Sequence, residues 1–201
     1  KWYSRDSLES GELTYPVAKG HEHCFNKENI CILCGTVGGN CGPDKNPTET
    51  KWALNRDTGE ISITGNGVVA VNPWQDNYQG TITSVFVGNG VTSICEDAFK
   101  DCVNLSSLEF EAGSQLNSIG DNAFSGSGLY GRVIIPSNVS AVGENAFNGC
   151  NGLTNLMISE SFAENNPPIN LSGQNAAVLV YSNDGRAVLG IRVPAGKTGV
   201  E

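Results

Sequence analysis

Residues 82–153 repeat one pattern of apolar and polar positions three times. The units cover residues 82–105, 106–129 and 130–153, and a fourth unit begins at Thr154. Each unit opens with two apolar residues separated by one other residue, which predicts a short strand with both side chains on one face. The pairs are Val85 and Val87, Leu108 and Phe110, Val133 and Ile135, and Leu156 and Ile158.

The second half of each unit carries an Ala-Phe pair that follows a further apolar position. The phenylalanines are Phe99, Phe124 and Phe147, separated by 25 and 23 positions, within the span of ~20 to 29 positions of a leucine-rich repeat. No single unit can bury these groups alone, so neighbouring units must stack into a solenoid. We expect the three rings to stack in one buried column.

The flanking segments predict β-hairpins and an irregular N-terminal part. Apolar residues alternate on both sides of an Asp/Gly turn in residues 51–67, and a second such turn lies at Asp184-Gly185. The predicted fold class is a β-rich (α+β) solenoid of short strands and short helical turns, flanked by β-hairpin caps. The predicted parts are an irregular Cys/His-rich segment (1–48), a hairpin leader or N-terminal cap (49–81), the repeats (82–165), and a C-terminal hairpin cap or the start of a further β module (166–201).

The repeat units resemble the BspA-like leucine-rich-repeat family, whose units read roughly "L..v.iP..v..Ig..AF..C..L". The similarity covers residues 82–158, and the "W.L....G.I.I.G.G" leader with its following Pro-Trp resembles the segment that often precedes such repeats. This chain departs from the family pattern at Cys95, where glycine is usual, and at Ser127, where Cys102 and Cys150 predict cysteine. The resemblance implies a secreted or surface-attached protein of bacteria or mucosal parasites that adheres to host proteins or other cells.

The strand alternation identifies a candidate ligand-binding face. If the paired apolar residues point inward, the residues beside them point outward. Phe86, Ile134 and Met157 would then form an exposed apolar column interrupted by Glu109, and such columns mark interaction surfaces. The predicted ligand-binding residues are Ser84, Phe86, Glu109, Arg132, Ile134, Asn155 and Met157. The alternative is that the leader or the C-terminal hairpin covers this face.

Charge and composition narrow the function classes. The net charge of −9 opposes a nucleic-acid partner, because binding a nucleic acid requires clustered Lys and Arg. The chain has no run of ~18 apolar residues, so we expect no membrane-spanning segment. Its two histidines lie together at His21 and His23 and no GxSxG sequence is present, so we expect no enzyme. We expect an extracellular protein that binds a protein or glycan, or alternatively a structural spacer of a larger surface protein.

The N-terminal cysteines and histidines predict a cross-linked segment. Cys31 and Cys34 form a CxxC pair downstream of His21 and His23, a set that can hold one tetrahedral zinc ion. Four protein ligands would leave no position for water, so such a zinc would be structural. The alternatives are disulfides, such as Cys24 with Cys41 or Cys31 with Cys34, and reduced buried thiols.

Overall fold

The chain forms a β-solenoid of about five turns. The computed structural model describes residues 36–42, 50–171, 174, 176–182 and 188–192. The strands in chain order are β1 (Val37–Asn40), β2 (Thr50–Leu54), β3 (Glu60–Gly65), β4 (Gly67–Val68), β5 (Ser84–Val87), β6 (Val91–Ile94), β7 (Ser107–Phe110), β8 (Ser118–Ile119), β9 (Tyr130–Ile134), β10 (Ala141–Val142), β11 (Gly152–Ser159), β12 (Ala177–Tyr181) and β13 (Val188–Arg192). Two short helices accompany them, α1 (Gln75–Tyr78) and α2 (Glu160–Asn165).

Each repeat contributes one strand to a front face and a second strand to a side face. On the front, β3, β5 and β7 run parallel, and β9, β11 and β12 form a second parallel set. On the side, β4, β6, β8 and β10 form a parallel sheet. Antiparallel strands flank the front face, because β1 and β2 continue from β3 while β13 follows β12.

The core follows a column of aromatic rings along the solenoid axis. Phe99 and Phe124 stack with centroids 5.4 Å apart, and Phe124 and Phe147 with centroids 5.2 Å apart. All three side chains are fully buried, so the predicted ring column is confirmed. Trp74 extends it by stacking on Phe99 at 5.2 Å and donating its indole N–H to the carbonyl of Ala98.

The Ala-Phe segments are single turns that interlock with the next coil. Within the first turn, the amide of Lys100 donates to the carbonyl of Asp97, three residues back. The amides of Asp97 and Phe99 instead donate to Asp121 and Ala123 of the following coil, at 2.9 and 2.6 Å. The turn therefore satisfies its backbone partly through its neighbour, which ties each coil to the next.

Asparagine side chains add further bonds between coils. Each of Asn104, Asn138 and Asn170 donates its side-chain nitrogen to a residue of the preceding coil at 2.7 Å. Each also begins an Asn-x-Ser sequence.

The stacked coils approach each other closely at the glycines that precede the turns. A Cβ placed on Gly143 would overlap the backbone of Gly120 and Asp121 in the preceding coil. A Cβ on Gly120 would likewise meet the peptide between Cys95 and Glu96. Glycine is therefore required at these positions by the spacing between coils.

We predict that Phe124→Ala lowers the free energy of unfolding by about 3 to 5 kcal/mol, because it leaves a cavity in the middle of the ring column. Denaturant unfolding measures the change. Val103→Ala serves as the control, since Val103 is 65% exposed and its loss should cost less than about 0.5 kcal/mol. Equal midpoints for Phe124→Ala and the unmodified protein would contradict the ring column.

We predict that Gly143→Ala costs about 1 to 3 kcal/mol, because the new methyl group forces two coils apart. Gly80→Ala is the matched control, since Gly80 is exposed and no heavy atom lies within 4 Å of its added Cβ. Thermal melts of the two variants test this difference. Indistinguishable melting temperatures would show that the coils can separate freely at Gly143.

Candidate functional site

The outward residues of the front strands align across neighbouring coils. Phe86 on β5 is in register with Glu109 on β7, and Arg132 and Ile134 on β9 are in register with Asn155 and Met157 on β11. Phe86 is 39% exposed and Ile134 is 49% exposed. Glu109 and Arg132 are also exposed, while Ser84 and Asn155 are partly buried. Six of the seven predicted ligand-binding residues are therefore accessible on this face.

Met157 corrects the expected apolar column, because its side chain is only 9% exposed. Ile134 lies beside it on β9, and Leu179 lies beside it on β12. The strand β12 pairs parallel with β11 and encloses Met157 between two apolar neighbours. The exposed apolar face therefore ends at Ile134.

Both flanking hairpins extend the front face sideways instead of lying on it. The hairpin of β2 and β3 joins the edge of β5, and the hairpin of β12 and β13 joins the edge of β11. Neither hairpin, over the residues that the structure describes, covers the outward side of β5, β7 or β9. The described residues of the leader and of the C-terminal hairpin thus leave this side open.

The front face is interrupted between β7 and β9. These two strands are not paired. Within the described part of the chain, one backbone hydrogen bond links β9 to the residue before β7, from the amide of Tyr130 to the carbonyl of Ser106 at 3.2 Å. Four positions separate Leu129 from Val133, whereas three separate Leu153 from Leu156. The extra residue is accommodated at Gly131, whose φ of 73° lies in the left-handed region. β9 runs through Gly131 and pairs with β11 but not with β7.

The interruption opens a groove of about 660 Å³ between the two strands. Leu108 and Phe110 form its floor, and Tyr130 and Ile134 stand on its β9 side. Phe110 is only partly buried, although the equivalent Val87 of the preceding coil is fully buried. The groove therefore gives access to core-facing side chains.

Two opposite charges flank this groove. Glu109 stands on β7 and Arg132 on β9, and both line the groove. The ion pair recorded for the described residues joins Lys100 to Asp97 at 3.2 Å, so neither Glu109 nor Arg132 is in a salt bridge there. A partner with complementary charges could pair with both.

Sequence reasoning identified Glu109, Arg132 and Ile134 but missed Tyr130 and Phe110. It also missed the groove itself. The available signal was a difference in length, because two extra residues separate Phe110 from Leu116 when compared with Val87 and Val91. Together with the extra residue before Val133, this difference marks the boundary between the second and third repeats as irregular.

Buried free thiols are found at Cys41, Cys102 and Cys150, while Cys95 is partly buried. Burial, with a smaller contribution from the nearby Cys95, raises the pKa of Cys41 to about 12. Burial, with a smaller contribution from Asp101, raises the pKa of Cys102 to about 12. Burial also raises the pKa of Cys150, although a hydrogen bond with Ser127 at 3.3 Å opposes the rise. Such thiols carry almost no thiolate at neutral pH and are poor nucleophiles.

The predicted zinc ligands His21, His23, Cys31 and Cys34 lie outside the described residues, as does Cys24. Cys41 carries a free thiol in this structure. Among the residues described, no group of three or more His, Cys, Asp or Glu side chains is arranged to hold a metal ion. In the same part of the chain, no helix is long and apolar enough to cross a membrane.

Comparison with known proteins finds similarity in the repeats. A family profile for the BspA type leucine rich repeat region matches residues 77–167 in six copies. The solved leucine-rich repeat protein from Eubacterium ventriosum is 18% identical, with a TM-score of 0.40 over 63% of this chain and 45% of that chain. Pneumococcal vaccine antigen PcpA is 17% identical, with a TM-score of 0.38 over 57% of this chain and 37% of that chain. This chain therefore spans less than half of either structure. No curated protein matches it.

We predict that the free energy of unfolding decreases as the pH rises from about 9 towards 12. Unfolded thiols ionise near their ordinary pKa of 9.0, whereas the folded Cys102 keeps its proton up to about 12, so alkaline pH favours the unfolded chain. Urea unfolding at a series of pH values tests this. The decrease should be shallower in Cys102→Ala, and parallel curves for the two proteins would contradict the assignment.

Proposed function

We propose that the chain, whose residues 77–167 match a family profile for the BspA type leucine rich repeat region, is an extracellular module whose front strand face binds a protein or glycan of a host or neighbouring cell. Leucine-rich-repeat proteins are in general binding modules without catalytic activity. The proposed contact residues are Ser84, Phe86, Glu109, Arg132, Ile134 and Asn155, with Met157 packed beneath the edge of the surface.

The observation that carries the proposal is the exposure of Phe86 and Ile134 on a face that the described residues leave open. Large apolar side chains on a rigid surface contribute to association when a partner removes them from water. The neighbouring Val85 and Val133 point inward and hold the core. The outward residues can therefore contact a ligand without any rearrangement of the fold.

An extracellular location is supported by the family, since BspA-like repeat proteins are typically bacterial surface proteins. Adhesion is consistent with this setting, because an elongated face of stacked strands presents contacts over several coils. For the N-terminal segment, one structural zinc ion on His21, His23, Cys31 and Cys34 remains a proposal beside the disulfide alternative.

We predict that Phe86→Ser combined with Ile134→Ser weakens binding at least about tenfold in screens against arrays of extracellular matrix proteins and glycans, because it removes both exposed apolar contacts. The melting temperature should stay nearly unchanged, since neither side chain fills the core. Val71→Ser combined with Val103→Ser is the matched control. These valines are 48% and 65% exposed but lie outside the front strands.

The outcomes separate the proposal from its alternatives. A large fall in melting temperature for the Phe86 and Ile134 variant would mean that another part of the chain covers the face. Binding that falls equally in both double variants would place the contact elsewhere. Absence of binding to every protein and glycan on the arrays would favour a structural spacer.

A further inference from the structure

We propose that the groove between β7 and β9 binds an extended protein segment by taking up one apolar side chain between an acidic and a basic neighbour. The proposal rests on the proposed function, because it names the partner chemistry of the same face. It commits to a protein ligand at this position.

The floor of the groove favours an apolar side chain. Leu108 is 8% exposed and Phe110 is partly buried, whereas the equivalent Val85 and Val87 are 1% and 0% exposed. Because β9 does not pair with β7, the front face is incomplete beside these positions. An apolar side chain that entered the gap would complete the packing over the floor and displace water from it.

The two sides of the groove favour charged neighbours of opposite sign. On the β9 side, the planar guanidinium of Arg132 suits a carboxylate, which it can bind through two hydrogen bonds. On the β7 side, the carboxylate of Glu109 suits a lysine or arginine. Neither group is in a salt bridge within the described part of the chain, so a ligand does not have to displace an existing ion pair.

The lining of the groove combines the apolar side chains of its floor with polar ones, among them Ser106, Ser107, Ser137 and Asn138. The polar side chains can donate hydrogen bonds to the backbone of an extended segment or accept them from it. The groove volume of about 660 Å³ lies within the range of pockets that hold small ligands or short peptide segments. A segment of a few residues therefore fits both its size and its chemistry.

The first test uses capped tripeptides and nuclear magnetic resonance of the isotope-labelled protein. The probes are acetyl-Glu-Leu-Lys-amide, the same peptide with serine in the centre, and free galactose. The leucine peptide should shift the amide signals of β7 and β9 and bind about tenfold more tightly than the serine peptide, as expected for one buried apolar side chain. Equal affinities for the two peptides, shifts produced by galactose alone, or no shifts in these strands would overturn the proposal.

A separate variant tests whether Arg132 pairs with a carboxylate of the ligand. Arg132→Glu should weaken the Glu-Leu-Lys peptide about tenfold and strengthen acetyl-Lys-Leu-Lys-amide. Arg56→Glu is the matched control, because it makes the same change in net charge in the exposed turn between β2 and β3. Equal effects of the two variants would mean that Arg132 acts only through long-range attraction, and would overturn the assigned pairing.

A second measurement does not depend on peptide affinity. Phe110→Cys should react with N-ethylmaleimide about tenfold faster than Val87→Cys, the equivalent position of the preceding coil, because only the former opens into the groove. Peptide mapping separates these sites from the native cysteines, and circular dichroism checks that both variants fold. Equally slow labelling would show a closed groove and overturn the proposal. If adhesion requires Phe86 and Ile134 but the groove is closed, the proposed function holds and the groove proposal fails.

Discussion

The column of stacked rings sets the geometry on which the rest of this solenoid depends. One aromatic ring per coil, at centroid spacings of 5.2 to 5.4 Å, is close to the spacing of about 4.8 Å between neighbouring strands. Ring stacking and strand pairing can therefore be satisfied together over successive coils. The same spacing leaves no room for a side chain at Gly120 or Gly143. It also brings the turn amides of one coil within hydrogen-bonding distance of the carbonyls of the next.

The repeats and their inward residues could be predicted because the evidence for them is local and recurs. Phe99, Phe124 and Phe147 each stand in the same short pattern, so their column follows from the sequence. Trp74 belongs to the same column but stands outside the repeated pattern, next to Pro73 in a polar stretch. Nothing in its own neighbourhood distinguishes a buried indole from an exposed one. Only the coil that stacks on Trp74 shows that its indole is buried.

For the candidate binding face, the sequence predicted which side chains point outward but not how far the exposed surface extends. Alternation correctly placed Phe86 and Ile134 outward, because it depends on the geometry of a single strand. Met157 was expected to be exposed and is buried, because its surroundings depend on how β12 pairs with β11 after the connection that contains α2. The groove was missed for a related reason. It arises between two strands, from a small difference in length that matters only when the coils are stacked.

That difference in length has a consequence for how such surfaces change over generations. In a repeat array, inserting one residue at a strand's start leaves the aromatic core and the later coils in place, since Phe147 still stacks on Phe124. The same insertion, accommodated at Gly131, interrupts the front face between β7 and β9 and exposes a new patch of the core. Short insertions and deletions can therefore diversify what an array recognises while its architecture persists. Point substitution on a continuous sheet would alter side chains without creating a cleft.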